Sequence, residues 1–163
     1  MKKIKKISIF LAILFVALLL FHFPILNFYT QYRNEKALTK IANVNEKSAP
    51  IFSDFIKEIE AKTDWEVILL SGYRTEAEQV ILKKINAKHA NPGKSEHNFA
   101  KAIDICLYKR KNVLFTKWIV KSTNKTVWEN TGVLEIAKKY NLKWGGEFKN
   151  YYDPVHFEVG NGI

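Results

Sequence analysis

The sequence predicts an α+β fold: a small antiparallel sheet with flanking helices, preceded by one N-terminal transmembrane helix. Three observations predict it. The chain opens with a run of 22 uncharged residues, Ile7 to Phe28. Helical apolar spacings and short strand-like runs then follow one another without regular alternation. Residues able to do chemistry gather on and around the strand-like runs of the C-terminal half. With 163 residues, 47% apolar and 26% charged, the chain has room for one ordinary domain. The expected division is an anchor over residues 1–28, a stalk over 29–49 and a folded domain over 50–163.

As a helix the uncharged run would measure roughly 33 Å at about 1.5 Å per residue, enough to cross a hydrocarbon layer about 30 Å thick. It exits through His22-Phe23-Pro24 and Phe28-Tyr29, without the small-x-small cleavage site of a secretory signal peptide. Lysines at positions 2, 3, 5 and 6, with no acid among them, hold the N-terminus on the cytoplasmic side. Everything after Phe28 is then expected outside the membrane, on the periplasmic or cell-wall side. His22, beside a proline at the outer end of this helix, reads as a headgroup-level residue rather than a functional one.

Of the 26 basic residues four belong to that leader, and the remaining 22 still outnumber the 16 acidic ones. The excess suits an anionic partner such as a wall polymer or phosphate headgroups. Nucleic acid is not expected for a domain placed outside the membrane. The one cysteine, Cys106, has no disulfide partner, so the domain depends on its core or on a metal. Cys106 would share a strand face with Asp104 and reads as a small buried thiol rather than a ligand.

Within the domain, Ile51, Phe52, Phe55, Ile56 and Ile59 recur at helical spacing and predict a helix from about Ser48 to Lys62. WEVILLSG has strand length. Thr75 with Glu78 forms a capping-box pattern, and Val80, Ile81 and Ile85 carry the next helix toward Ala90, where Asn91-Pro92-Gly93 breaks it. From Ala100 the pattern alternates, with Ile103, Ile105 and Leu107 on one face and Ala102, Asp104 and Cys106 on the other. VLFTKWIV suggests another strand, and Val127 to Tyr140 one helix with Val133, Ile136 and Ala137 in register. LKWGGEF and DPVHFEV close the domain as short aromatic stretches.

Three side chains could share one metal ion: His97, Asp104 and His156. Two imidazoles and a carboxylate match a catalytic zinc site, which has three protein ligands and one open position. Seven extended residues would span roughly 23 Å, so the chain between His97 and Asp104 must turn. The spacing alone arises often by chance, and its neighbours give it meaning. Asp153, before a proline, reads on chemistry alone equally well as a turn former or a base.

Those neighbours are S-x-H-x-x-(small)-x-A-x-D over Ser95 to Asp104, W-G-G-(acid)-aromatic over Trp144 to Phe148, and D-x-x-H-F-E over Asp153 to Glu158, with SGYRTEAEQ at 71–79 upstream. In that order they resemble the zinc peptidases of peptidoglycan, a family of D-alanyl-D-alanine carboxypeptidases and L-alanyl-D-glutamate endopeptidases. The resemblance covers about residues 50–160. It implies Zn2+ held by His97, Asp104 and His156, with Asp153 as general base. It implies substrate contacts from Arg74, Gln79 and Ser95, and a peptidoglycan stem peptide as substrate. His89 matches no ligand of the family and is expected at a helix end.

Two positions depart from the family pattern. Ala100 stands where glycine is usual, which implies an altered turn or a negative φ there. Asp153 is shorter than the glutamate base of many D,D-carboxypeptidases, and aspartate with HFE points to the L-alanyl-D-glutamate branch. A D,D-carboxypeptidase and a non-catalytic zinc-containing wall-binding module are the alternatives.

Overall fold

A computed structural model of the chain describes residues 2–112, 115–119 and 124–160, with side chains over 9–17, 27–109 and 124–160. Helix α1 (Lys2–Ala42) leads to α2 (Ser48–Lys62), strand β1 (Glu66–Ser71) and α3 (Glu76–Ile85). Strands β2 (Ala102–Asn112) and β3 (Phe115–Ile119) follow, then α4 (Lys125–Glu129), α5 (Val133–Lys139), β4 (Leu142–Trp144) and β5 (His156–Val159). Turns of 3-10 helix lie at Glu96–Phe99 and Gly145–Glu147. All strand pairs are antiparallel, as expected, and β2 is the spine. β1 runs along one side of it; on the other, β5 pairs with its first residues and β3 with its last.

The alternation in β2 divides the sheet into two faces. Ile103, Ile105 and Leu107 are fully buried in the main core, together with Phe52, Phe55 and Ile59 of α2 and with Trp128 and Phe157. Each large apolar side chain hidden this way contributes roughly 1.5–3 kcal/mol. The other face carries Asp104, and beyond it Cys106 and Tyr108 pack on Ile68 of β1.

The segment expected as a stalk, residues 29–49, is different in kind. Its first part continues α1 and docks on the domain: Ile41 is fully buried in the main core. Buried Asn34 donates from Nδ2 to Val67 O at 2.8 Å and accepts at Oδ1 from Leu69 N at 2.9 Å. One amide thus does for the free edge of β1 what a neighbouring strand would do. Among the described residues no helix is long and apolar enough to cross a membrane. The expected span reaches outside them, since the side chains of residues 7–8 and 18–26 are not described.

Other boundaries also moved. α3 stops at Ile85 rather than Ala90, and Val80, Ile81 and Ile85 are exposed, while the buried residue of this helix is Gln79. The expected helix over Val127–Tyr140 is two helices, because Gly132 at φ 77° interrupts it. Thr131 bridges the break, donating from Oγ1 to Trp128 O and accepting from Val133 N. In VLFTKWIV, Val113, Leu114 and Val120 lie outside the described residues; the part between them is β3.

Candidate metal centre

Sheet register puts two of the expected ligands side by side. Asp104 of β2 lies directly opposite His156 of β5, and such opposed residues project from the same face with Cβ atoms about 4.5–5.5 Å apart. His97 comes from the 3-10 turn Glu96–Phe99, after which the chain reverses at Ala100. Ala100 has φ 54° and ψ 32°, so the left-handed turn is present without the glycine, against the expectation of a negative φ. A non-glycine residue in this conformation is strained by roughly 1–2 kcal/mol.

The turn is stitched to the loop after β1. Arg74 N donates to His97 O at 3.1 Å, and Asn98 Nδ2 donates to Arg74 O at 2.7 Å. His97 Nδ1 lies 2.7 Å from Gly72 O. A carbonyl can only accept, so Nδ1 donates to it and Nε2 is the nitrogen turned toward the site. Nε2 faces Asp104 Oδ1 at 3.2 Å. His156 repeats the pattern with its nitrogens exchanged: Nε2 faces Glu158 Oε2 at 3.3 Å, and Nδ1 faces Asp104 Oδ1 at 3.1 Å.

One ligand atom from each of His97, Asp104 and His156 lies within 4.8 Å of the other two. Two imidazole nitrogens and a carboxylate oxygen converge, an arrangement that a divalent cation between them would satisfy. The donor set fits zinc, and each histidine has the outer acceptor that fixes a ligating tautomer. Electrostatics agree. Burial pushes the Asp104 carboxyl up, but hydrogen bonds from His156 and His97 outweigh it and hold the group well below the usual carboxylate range. Burial lowers the His156 imidazole, but Asp104 and Glu158 outweigh that and lift it to about 9. The field of the site favours positive charge, which a proton or a metal ion can supply.

In the sequence Glu158 is marked only as the last residue of the D-x-x-H-F-E motif. Its carboxylate holds His156 and is itself paired with Lys143 Nζ at 3.2 Å. Strand period exposes the relation: residues two apart on β5 share a face, so a carboxylate at 158 must lie beside the ring at 156.

The triad opens into a cleft of about 390 Å³ that Arg74, Gln79, Ser95 and Asp153 also line. Among the described residues Asp153 Oδ1 is buried without a hydrogen-bond partner, while the Asp153 carboxylate also meets Tyr151. Its backbone is pinned by Asp153 N donating to Gly145 O at 3.0 Å and His156 N donating to Asp153 O at 3.1 Å. Glycine is required at 145, because a Cβ there would stand 2.4 Å from Asp153 O. Arg74 donates from Nη1 to Gln79 Oε1 at 2.8 Å and from Nη2 to Ser71 Oγ at 2.9 Å, with Nη2 3.7 Å from Asp104 Oδ2. The other end of the buried Gln79 amide donates to Ala90 O at 2.8 Å. Ser95 Oγ makes no capping bond to the turn it precedes.

His89 is not at a helix end. It sits in the loop after α3 and lines the cleft. Cys106 stays apart from the site, buried, with its thiol pushed up to about 11 by that burial.

A family model described as D-alanyl-D-alanine carboxypeptidase matches residues 88–159, a span holding the whole triad, Asp153 and Glu158. The peptidoglycan L-alanyl-D-glutamate endopeptidase CwlK of Bacillus subtilis (strain 168) is 31% identical over 116 residues, covering 66% of this chain and 68% of the relative. The chain belongs to the zinc peptidoglycan peptidases. Within this family the solved Serratia marcescens L-Ala D-Glu endopeptidase ChiX shares the fold, with TM-score 0.54 and 20% identity over 78% of this chain and 86% of that one. The vancomycin-resistance D,D-pentapeptidase VanY, solved with Zn(II), gives TM-score 0.47 and 20% identity over 69% and 70%. The cofactor of this zinc peptidoglycan peptidase is Zn2+, and His97, Asp104 and His156 form its metal-binding arrangement.

Proposed function

We propose that the chain is an endopeptidase cutting the bond between L-alanine and D-glutamate in peptidoglycan stem peptides. The observation that carries this reading is the convergence of two imidazole nitrogens and one carboxylate oxygen near a buried oxygen of Asp153 that has no hydrogen-bond partner among the described residues. Zinc, when bound, supplies Lewis acidity toward the scissile carbonyl and makes water a nucleophile near neutral pH.

The rest belongs to the protein. Asp153 Oδ1 accepts the proton of the attacking water and returns it to the leaving amine of D-glutamate. Arg74, its fork held by Gln79 and Ser71, binds a carbonyl or carboxylate oxygen of the substrate. Gln79 acts through Arg74, since both ends of its amide are engaged. Ser95 Oγ offers a hydrogen bond to the peptide. The endopeptidase CwlK is the relative that supports the choice of bond.

We also propose that α1 anchors the enzyme, with the catalytic domain on the outer side of the cytoplasmic membrane. The support is the uncharged run behind four lysines and the unburied side chains of Ile9, Phe10, Leu11, Ile13, Phe15 and Val16 around that helix. Lipid is the solvent that suits such a surface.

The test is digestion of defined muropeptides by the purified full chain in detergent, with products weighed by mass spectrometry. Release of a peptide beginning with D-glutamate is expected. Loss of a single terminal D-alanine would refute the endopeptidase reading, and binding to sacculi without released peptide would mark a wall-binding module. Carbonate extraction should leave the full chain in the membrane pellet and release a chain lacking residues 1–28; equal extraction of both would refute the anchor.

A further inference from the structure

A second cleft, of about 580 Å³, lies between α1, the end of β1 and one side of α3. Arg33, Lys36 and Lys40 line it from α1. Their spacing of three and four residues puts all three on one face of the helix. No acidic group lies within 4 Å of these cations among the described residues; Arg33 Nη2 reaches only Leu70 O, at 3.4 Å. The one carboxylate in the cleft wall, Glu78, is bound into the capping box, accepting from Thr75 N at 2.8 Å and Thr75 Oγ1 at 2.9 Å, and its single charge is shared at longer range by Lys40 and Arg74. Like charges so arranged repel one another, and a bound anion would reverse that cost. Leu70 and Ile81 give the cleft an apolar wall, exposed by 38% and 58%.

Arg74 lines both clefts, so the cationic one adjoins the cleft of the metal centre across this side chain. We infer that it is a second substrate-binding subsite, receiving the carboxylate-bearing leaving half of the stem peptide. The inference rests on the bond proposed above. On the leaving side of that bond glutamate keeps a free carboxylate and the peptide ends in another. On the alanine side the chain is acylated and uncharged. Charge complementarity therefore directs the leaving half, and not the acyl half, past Arg74 toward α1. Phosphate-bearing polymers share the charge but not the link to the scissile bond.

The full chain and its Lys36→Ala, Lys40→Ala double variant, both exposed helix positions, are compared on two peptides, N-acetyl-L-Ala-γ-D-Glu-L-Lys-D-Ala and the same peptide with its carboxylates amidated. The wild type should favour the free acid in kcat/KM by about tenfold at low salt, the product of two or three exposed charge contacts. That ratio should fall toward unity in the variant, and in the wild type at about 0.5 M salt. Calorimetry with the product γ-D-Glu-L-Lys-D-Ala, and separately with inorganic phosphate, reads binding without turnover. Weaker binding of the tripeptide to the variant supports the subsite. A variant that keeps the wild-type ratio and tripeptide affinity overturns it, as does binding of phosphate but not tripeptide. If neither peptide is cut between alanine and glutamate while tripeptide binding stays charge-dependent, the bond assignment fails and the anion subsite stands.

Discussion

Glu158→Ala removes the acceptor that fixes the ring of His156. In the native site His156 Nε2 lies 3.3 Å from Glu158 Oε2, and Lys143 Nζ lies 3.2 Å from Glu158 Oε1. A hydrogen bond to a charged group is worth a net of about 1.5–3 kcal/mol, and loss of an outer carboxylate costs roughly 10–100-fold in metal affinity. The contact here is long and Lys143 neutralises part of the charge, so the lower end applies: about tenfold, or ~1.4 kcal/mol. Glu158→Gln keeps an acceptor and should lose only a few-fold. Competition against a chromophoric chelator at fixed pH measures both, and the melting temperature of the zinc-free proteins separates a loss of fold. A zinc affinity for Glu158→Ala within twofold of wild type, with the fold intact, would refute the claim that Glu158 sets the ligating tautomer.

Asp153→Asn keeps the shape of the base and removes its basicity; kcat should fall by roughly 10²–10⁴ with zinc content retained, and a smaller fall in single-turnover rate would assign the proton transfer elsewhere. Asn34→Ala leaves Val67 O and Leu69 N without their partner, at about 1–3 kcal/mol each, so urea unfolding should show a loss of roughly 2–6 kcal/mol; a change under about 1 kcal/mol would mean that α1 does not guard this edge. Glu58 is held down to about 2 by Lys139, Lys62 and Tyr140. A depressed carboxyl stabilises above its unfolded value, about 4.3, and that stability is lost as pH falls toward 2; thermal melts of Glu58→Gln should be flatter across this window than wild type, and parallel curves would count against it.

Much of this architecture can be read from residue patterns because those patterns have short periods. The alternation from Ala102 to Leu107 separates core from site, and the Thr75–Glu78 pair marks a helix start that is present with both of its hydrogen bonds. The triad was legible for a different reason: metal chemistry admits few residue types, and four separated motifs agreed on them. What stayed hidden depends on contacts between distant segments. Asn34 and Ile41 sit in a polar stretch and acquire meaning only when β1 arrives beside them. Val80, Ile81 and Ile85 suggested a buried face, yet the helix buries Gln79 instead, because Arg74 needs its carbonyl oxygen. Gly132 lies inside an otherwise continuous apolar register, so the helix break there could not be told from a tolerated glycine.

The pairing of Asp104 with His156 rests on a short contact, three residues of β2 against three of β5. Sliding β5 by one position would turn His156 and Glu158 onto the greasy side and bring Phe157 and Val159 out to solvent. Only one alignment both closes the hydrophobic layer and assembles the three ligands. Register and ligand set therefore depend on each other: an ion held by all three residues would favour the native alignment of β5 over the slipped one.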